Sequence, residues 1–302
     1  LKMNLNFSMV LISLLIASYL KAQNQNELIN IEYRSTAQAS INNELHNVLN
    51  DVNYANSFIN FSLNYGHPFK DTTLSMIYSL AYNNVSQELD LLNVKDNDKL
   101  AVLPNKYYEY PQFSQLSIST GINKVLKNNW SITGMLTTSI VDDFFKPELP
   151  ISVNFQGLTY VEKEHNKKLS YGLGLFLGQT ENRLVPSFVL SFNYQNKKRG
   201  IEILFPSNIR MWQMINKKSY LEMNAYSNFY SLRYNPDNPV HSMDIISTIP
   251  EFTYNYIWDD FLRFKIGVDL PLNTVTITAK DEIVEYNQFS LGLKLGLSLV
   301  ID

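Results

Sequence analysis

From Phe289 the chain reads FSLGLKLGLSLV, and no other stretch restricts its fold so strongly. In an extended chain Phe289, Leu291, Leu293, Leu295, Leu297 and Leu299 share one face, while Ser290, Gly292, Lys294, Gly296 and Ser298 share the other. An unbroken leucine face opposite a face of glycine, serine and lysine suits a strand with hydrocarbon on one side and a crowded, wet interior on the other. A soluble sandwich would draw more on valine and isoleucine.

The same period recurs along the chain. Ile59-Phe61-Leu63-Tyr65 opposes Asn60-Ser62-Asn64, and Leu74-Met76-Tyr78-Leu80-Tyr82 follows it. Trp130-Ile132-Leu136-Ile140 opposes Ser131, Thr133 and Thr137. Tyr171-Leu173-Leu175-Leu177 opposes Gly172, Gly174 and Gly178, and Phe188-Leu190-Phe192-Tyr194 opposes Ser187, Ser191, Asn193 and Gln195. Toward the C-terminus come Leu221-Met223-Ala225, Phe252-Tyr254-Tyr256-Trp258 and Leu262-Phe264-Ile266-Val268, the last opposing Arg263, Lys265, Gly267 and Asp269. Each segment has the length of a transmembrane strand. Tyr65, Trp130, Tyr171, Tyr194, Tyr256 and Trp258 stand near segment ends, where the aromatic girdles of a membrane barrel belong. An open sheet in lipid would leave its edges unpaired, so the sheet has to close. The expectation is an all-β chain forming a single closed antiparallel transmembrane β-barrel.

Turn signals set the strand number and the orientation. Lys- and Asn-rich turns stand at 67–71, 127–129, 165–168, 196–199 and 259–260, and read as periplasmic. Longer polar stretches at 35–56, 85–111, 142–150, 235–242 and 273–287 read as outer loops. Only 44–52 offers a competing helical period. The count is about 12 to 14 strands and has to be even. It reaches the upper figure if Pro206-Ser207-Asn208 is a tight turn between two short strands.

Met9–Leu20 (MVLISLLIASYL) follows Lys2 and gives way to Lys21-Ala22-Gln23, which reads as a signal peptide over 1–23 with the barrel domain at 24–302. Past this segment no apolar run approaches the roughly 18 residues of a membrane helix. Export, with the barrel, implies the outer membrane of a Gram-negative cell and contact with its lipids. The absence of cysteine excludes disulfides and a lipid-bearing cysteine. A net charge of −3 without a Lys/Arg cluster argues against nucleic acid as a partner.

Leu184-Val185-Pro186 through Tyr194, followed by Gly200-Ile201-Glu202-Ile203-Leu204-Phe205-Pro206-Ser207, resembles uncharacterised outer-membrane barrel families of Bacteroidota that carry a domain-of-unknown-function label. The Ala-Gln ending of the leader and the Asn-rich composition add to the likeness. It implies location and fold, and no chemistry.

Catalytic chemistry finds little purchase. His67 and His165 fall in short turns, and His46 in a long loop. His241 precedes Ser242, and neighbours on a regular strand point to opposite faces. Asp96-Asn97-Asp98 lacks the Gly and Glu of a calcium loop, no other metal-ligand spacing occurs, and Gly172-Leu173-Gly174 opens no helix that could cradle a phosphate. The reading is a barrel without enzyme activity, cofactor or metal. Its candidate interior charges are Glu32, Arg34, Glu202, Glu222, Arg263, Lys265, Asp269 and Lys294. Their mixed signs favour mutual pairing over a selectivity ring, with Glu222 or Glu202 as the expected partners of Arg263 and Lys265. Three roles follow: passage or binding of a small solute or lipid first, then surface interaction through the outer loops, then lipid modification.

Overall fold

A computed structural model describes residues 26–36, 39–42, 53–69, 73–90, 112–142, 152–180, 183–233, 240–258, 261–279 and 283–301. The leader at 1–23, the helical period at 44–52, His46 and Asp96-Asn97-Asp98 lie outside the described residues. The strands are β1 (Asn26–Thr36), β2 (Ala39–Asn42), β3 (Asn53–Pro68), β4 (Leu74–Asp90), β5 (Gln112–Val125) and β6 (Trp130–Asp142). They continue as β7 (Ser152–Asn166), β8 (Leu169–Thr180), β9 (Arg183–Gln195), β10 (Arg199–Phe205), β11 (Asn208–Asn216) and β12 (Ser219–Arg233). The chain ends with β13 (Val240–Trp258), β14 (Leu262–Asp269), β15 (Leu272–Ala279), β16 (Ile283–Phe289) and β17 (Gly292–Ile301).

All seventeen segments belong to one antiparallel sheet, and β1 pairs with both β17 and β3, which closes it. Three crossings of the wall are interrupted midway. β14 and β15 both pair with β13, β17 and β16 take up the next position, and β1 with β2 the one after. Counted as crossings, the barrel has fourteen strands. Pro206-Ser207 does form the tight turn between two short strands, β10 and β11.

Local chemistry explains the turns at one end. Asn128 and Asn129 join β5 to β6 at φ of 60° and 61°, a left-handed conformation that asparagine tolerates and that matches the twist of a hairpin. Asn166, Asn196 and Asn216 each open an Asn-Lys-Lys turn. Their Oδ1 atoms accept from the backbone N–H of Lys168 at 2.9 Å, Lys198 at 2.9 Å and Lys218 at 2.8 Å. Such Asx turns stop a strand by offering its backbone a local partner. His67 and His165 occupy the last residues of β3 and β7 at this end, both exposed, rather than the turns themselves.

At the opposite end the strands run further than the sequence pattern indicates. The stretch 273–287, read above as a loop, is mostly β15 and β16, and β2, β4 and β13 also extend into stretches read as loops. In β15 Val275 and Ile277 alternate with Thr274, Thr276 and Thr278, all residues that favour extended backbone, so this strand is open to a reading that gives more weight to the short alternation than to the polar residues around it.

Alternation sorts side chains as read from the sequence. Leu293, Leu295 and Leu297 lie on the outside, 66%, 55% and 38% exposed, with Gly292, Lys294 and Ser298 buried between them. The interior is pinched, because β12 comes within 8 Å of β6 and β7 across it, measured between Cα atoms.

Candidate functional site

The inward faces of β1, β13, β14 and β17 carry four acids and four bases. On β1, Asn30, Glu32, Arg34 and Thr36 point inward by simple alternation. A β-bulge between Glu27 and Ile29 turns Glu27 inward as well, opposite Val300, while Ile29 packs outside with Phe61, Leu63 and Leu299. Registers then set Glu251 beside Asp269, Gly267 beside Lys294, and Arg34 beside Lys294.

The resulting network is continuous. Arg34 donates to Glu32 at 3.1 Å and to Glu251 at 3.2 Å, and its other terminal nitrogen lies 3.6 Å from Asp269. Lys294 bridges Glu32 at 3.1 Å and Glu251 at 3.0 Å. Lys265 reaches Glu27 at 2.8 Å, Glu32 at 3.2 Å and Asn30 at 3.0 Å, and Arg263 donates to Glu27 at 2.6 Å. Arg34 and Arg263 also lie over the rings of Tyr226 and Tyr220, 5.1 and 5.3 Å from their centroids. Burial at this depth costs several kcal/mol per lone charge, and the matched signs with many hydrogen bonds offset it.

A second, smaller group lies on β10–β12, where Arg210 holds Glu202 at 3.4 Å and Glu222 at 2.8 Å. Trp212 lies over Gly200, its partner on β10, where a Cβ would fall against the indole. All eight charges singled out in the sequence occupy inward strand positions, but their pairing differs from the one expected there. Arg263 and Lys265 take Glu27 and Glu32, while Glu202 and Glu222 share Arg210. The reason is reach: Arg210 stands directly across from Glu202 and one strand from Glu222, and the bulge brings Glu27 up to β14.

Glu27, Arg210 and Glu251, with Glu162 and Glu164 on the other wall, are interior charges that sequence reasoning missed. Glu251 was open to it, because Glu251-Thr253-Asn255 alternates with Phe252-Tyr254-Tyr256. Glu27 was hidden by the bulge, which places it out of step with Asn30, Glu32 and Arg34.

The facing wall, β3 to β9, is of another kind. Asn60 donates to Asn83 at 2.5 Å and Asn83 to Gln115 at 3.3 Å. Ser117 and Ser139 meet at 2.8 Å, Ser119 and Thr137 at 2.7 Å, and Asn123 donates to Thr133 at 2.7 Å. Among the described side chains its inward charges are Glu162 and Glu164 near the turns, with Glu162 bonded to Ser170. A polar cavity of about 440 Å³ is lined by Glu32, Arg34, Arg210 and Lys265 and, on β3 and β4, by Asn60, Ser62 and Asn83, with Asn60 directly across the ladder from Glu32. A wider vestibule of about 650 Å³ opens at the turn end, between Glu162, Glu164, Lys168, Ser170 and Asn193. Among the described residues no three His, Asp or Glu side chains are grouped to hold a metal ion.

No family model matches the chain, and no curated protein does. Solved structures similar to it include an outer membrane channel from Pseudomonas putida F1, 10% identical, with 93% of this chain and 97% of that one covered at a TM-score of 0.47. The toluene transporter TodX from Pseudomonas putida is 6% identical over 93% and 90% of the two chains, TM-score 0.37. Outer membrane phospholipase A from Escherichia coli is 8% identical over 92% and 97%, TM-score 0.37. At these identities and TM-scores the likenesses assign no activity to this chain.

Proposed function

We propose that this protein is an integral outer-membrane barrel that binds or passes a small uncharged solute along its β3–β9 wall. The membrane reading rests on the outside of the barrel: Leu136, Leu173 and Leu293 are each about two-thirds exposed, on strands that share a continuous apolar outer face. Water disfavours an apolar surface of that extent, and hydrocarbon does not.

The solute reading rests on one contrast across the interior. The charges on the β1–β17 side are spent on each other, four against four, so they present no net field to select an ion. The facing wall offers hydroxyl and amide groups, whose hydrogen bonds to a neutral polyol-like solute replace those to water at little cost. The cavity where the mutually paired charges meet Asn60, Ser62 and Asn83 is of a size for a small molecule.

Reconstituted liposomes should swell in an uncharged polyol such as erythritol, while planar bilayers carrying the protein show low ion conductance. A large steady conductance, with a reversal potential that moves in Arg263→Ala at an unchanged unfolding midpoint, would make the protein an ion channel and end this reading.

A further inference from the structure

The barrel wall is not of even height. β10 leaves its partner β9 at Phe205, opposite Leu190, and β11 begins at Asn208, opposite Tyr226 of β12. Above that level Arg183–Val189 of β9 pair only with β8, and Asn228–Arg233 of β12 pair only with β13. No ladder joins β9 to β12 among the described residues. The short hairpin leaves a notch that runs about 20 Å along the flanking strands at the usual rise per residue.

Three further observations bear on what the notch does. Phe188 and Phe192 share the outer face of β9, yet Phe188 is 81% exposed and Phe192 only 37%. Phe192 has Ile203 of β10 beside it, and Phe188 has no strand there. The notch also opens at the level of the apolar band, since Pro186 and Phe188 stand in register with the exposed Leu177 and Leu175 of β8. Inside, the wall beside it is apolar: Val189 and Val185 on β9 lie next to a cross-strand row of Phe176, Leu158 and Met135.

Pro186 decides between an opening and a docking edge. The Gln195 N–H donates to Lys168 at the β8 side, so by alternation the even-numbered positions of β9 aim their N–H groups toward β10 and, higher up, into the notch. Proline at 186 has no N–H to offer, which removes a donor from the middle of the free edge and works against a strand adding there.

We infer that the gap between β9 and β12 is a lateral portal through which an uncharged amphiphile passes between the outer leaflet and the barrel interior. Its apolar chain slides past Phe188, Val185 and Phe176, and its hydroxyl head meets the neutral polar wall. This rests on the membrane-embedded, neutral-solute reading above and adds a route and a substrate class to it.

The chain has no cysteine, so Ser187→Cys and Ser191→Cys each give a single labelling site. Both residues face inward on β9, one beside the notch and one behind β10. Bimane attached at each site is followed in liposomes containing a nitroxide-labelled long-chain alcohol. Quenching is expected at position 187 and not at 191, and it should be lost when two residues are inserted on each side of Pro206-Ser207 to lengthen the hairpin. Equal quenching at both positions, or at neither, overturns the portal, even if the lengthened hairpin fails to fold. Quenching at 187 by nitroxide-labelled phosphatidylcholine but not by the alcohol overturns the substrate class. Liposomes that fail to swell in erythritol would defeat the neutral-solute reading alone, because the contrast between 187 and 191 does not depend on it.

Discussion

The two walls that face each other across the barrel interior solve the same problem differently. Both must satisfy polar groups in a space with little water. The wall from β10 round to β1 does so with charge: Arg34 touches three carboxylates, and Glu32 and Glu251 each touch two bases or more. The wall from β3 to β9 does so with short neutral bonds, some of them isolated pairs such as Ser119 with Thr137 and some short chains such as Asn60, Asn83 and Gln115. A charged network resists the loss of any one member, because the others are left buried and uncompensated. A ladder of separate neutral bonds loses one rung at a time. The charged wall is therefore suited to holding a shape, and the neutral wall to exchanging partners with a visitor.

The hardest blow to that contrast falls on its most connected residue. Arg34→Met keeps much of the side-chain volume but leaves buried Asp269 without its base and takes one of the bases from Glu32 and Glu251, which keep Lys265 and Lys294, and should lower stability by about 3–5 kcal/mol. Urea unfolding of the protein folded in lipid vesicles measures it. A loss no larger than that of a single neutral pair would mean the network is not a unit.

On the outer surface, Leu295→Arg should cost about 2–4 kcal/mol near the mid-plane of the bilayer. Its neighbour Lys294 carries a charge on the opposite face of the same strand, buried between Glu32 and Glu251. The pair shows that depth in the membrane does not by itself forbid charge, and that the face decides. Folding into vesicles that is indifferent to Leu295→Arg would remove the lipid-facing assignment.

Much of this was legible in the sequence, and the parts that were not have definite causes. A period of two is read without knowing the neighbours, so the inward set on β14 and β17 was visible in Arg263, Lys265, Asp269 and Lys294. Partners were not, because pairing depends on registers that are fixed by the bulge at Glu27 and by the length of the β10–β11 hairpin. Whether Pro206-Ser207-Asn208 is a tight turn, on which the strand count hung, could have been settled from the sequence. Asn216-Lys217-Lys218 repeats the turn signature of Asn166-Lys167-Lys168 and Asn196-Lys197-Lys198, and a third such turn at the same end requires the chain to have gone out and back. The strand extensions toward the long connections were harder to read because polar residues outnumber apolar ones there, although Val275 and Ile277 still alternate with Thr274, Thr276 and Thr278 in β15.

Arg263→Ala sharpens the comparison at intermediate scale. Its partner Glu27 keeps Lys265 at 2.8 Å, so the carboxylate is not left alone. The expected loss is about 1.5–3 kcal/mol, that of one charged hydrogen bond rather than of a stranded ion. Arg263→Ala combined with Lys265→Met should then cost more than the two single changes added together, because only the pair leaves Glu27 bare. Strict additivity in unfolding free energy would show that Lys265 does not take over.

The smallest effect is expected on the neutral wall, and it separates stability from use. Ser119→Ala removes one partner from a 2.7 Å bond and leaves the Thr137 hydroxyl in the interior, at a cost of about 1 kcal/mol. Adding Thr137→Val removes the second hydroxyl while keeping its shape, so the double variant should recover part of that loss, since no polar group is then left wanting. Solute handling should move the other way. Each removed hydroxyl takes away a site at which an uncharged solute exchanges water for protein, so erythritol swelling should slow in the single variant and further in the double, even as stability returns. In Arg34→Met, measured where it remains folded, swelling should change less than in the double variant. If swelling instead follows stability through all of these proteins, the neutral wall is only scaffold, and the division of labour between the two walls does not hold.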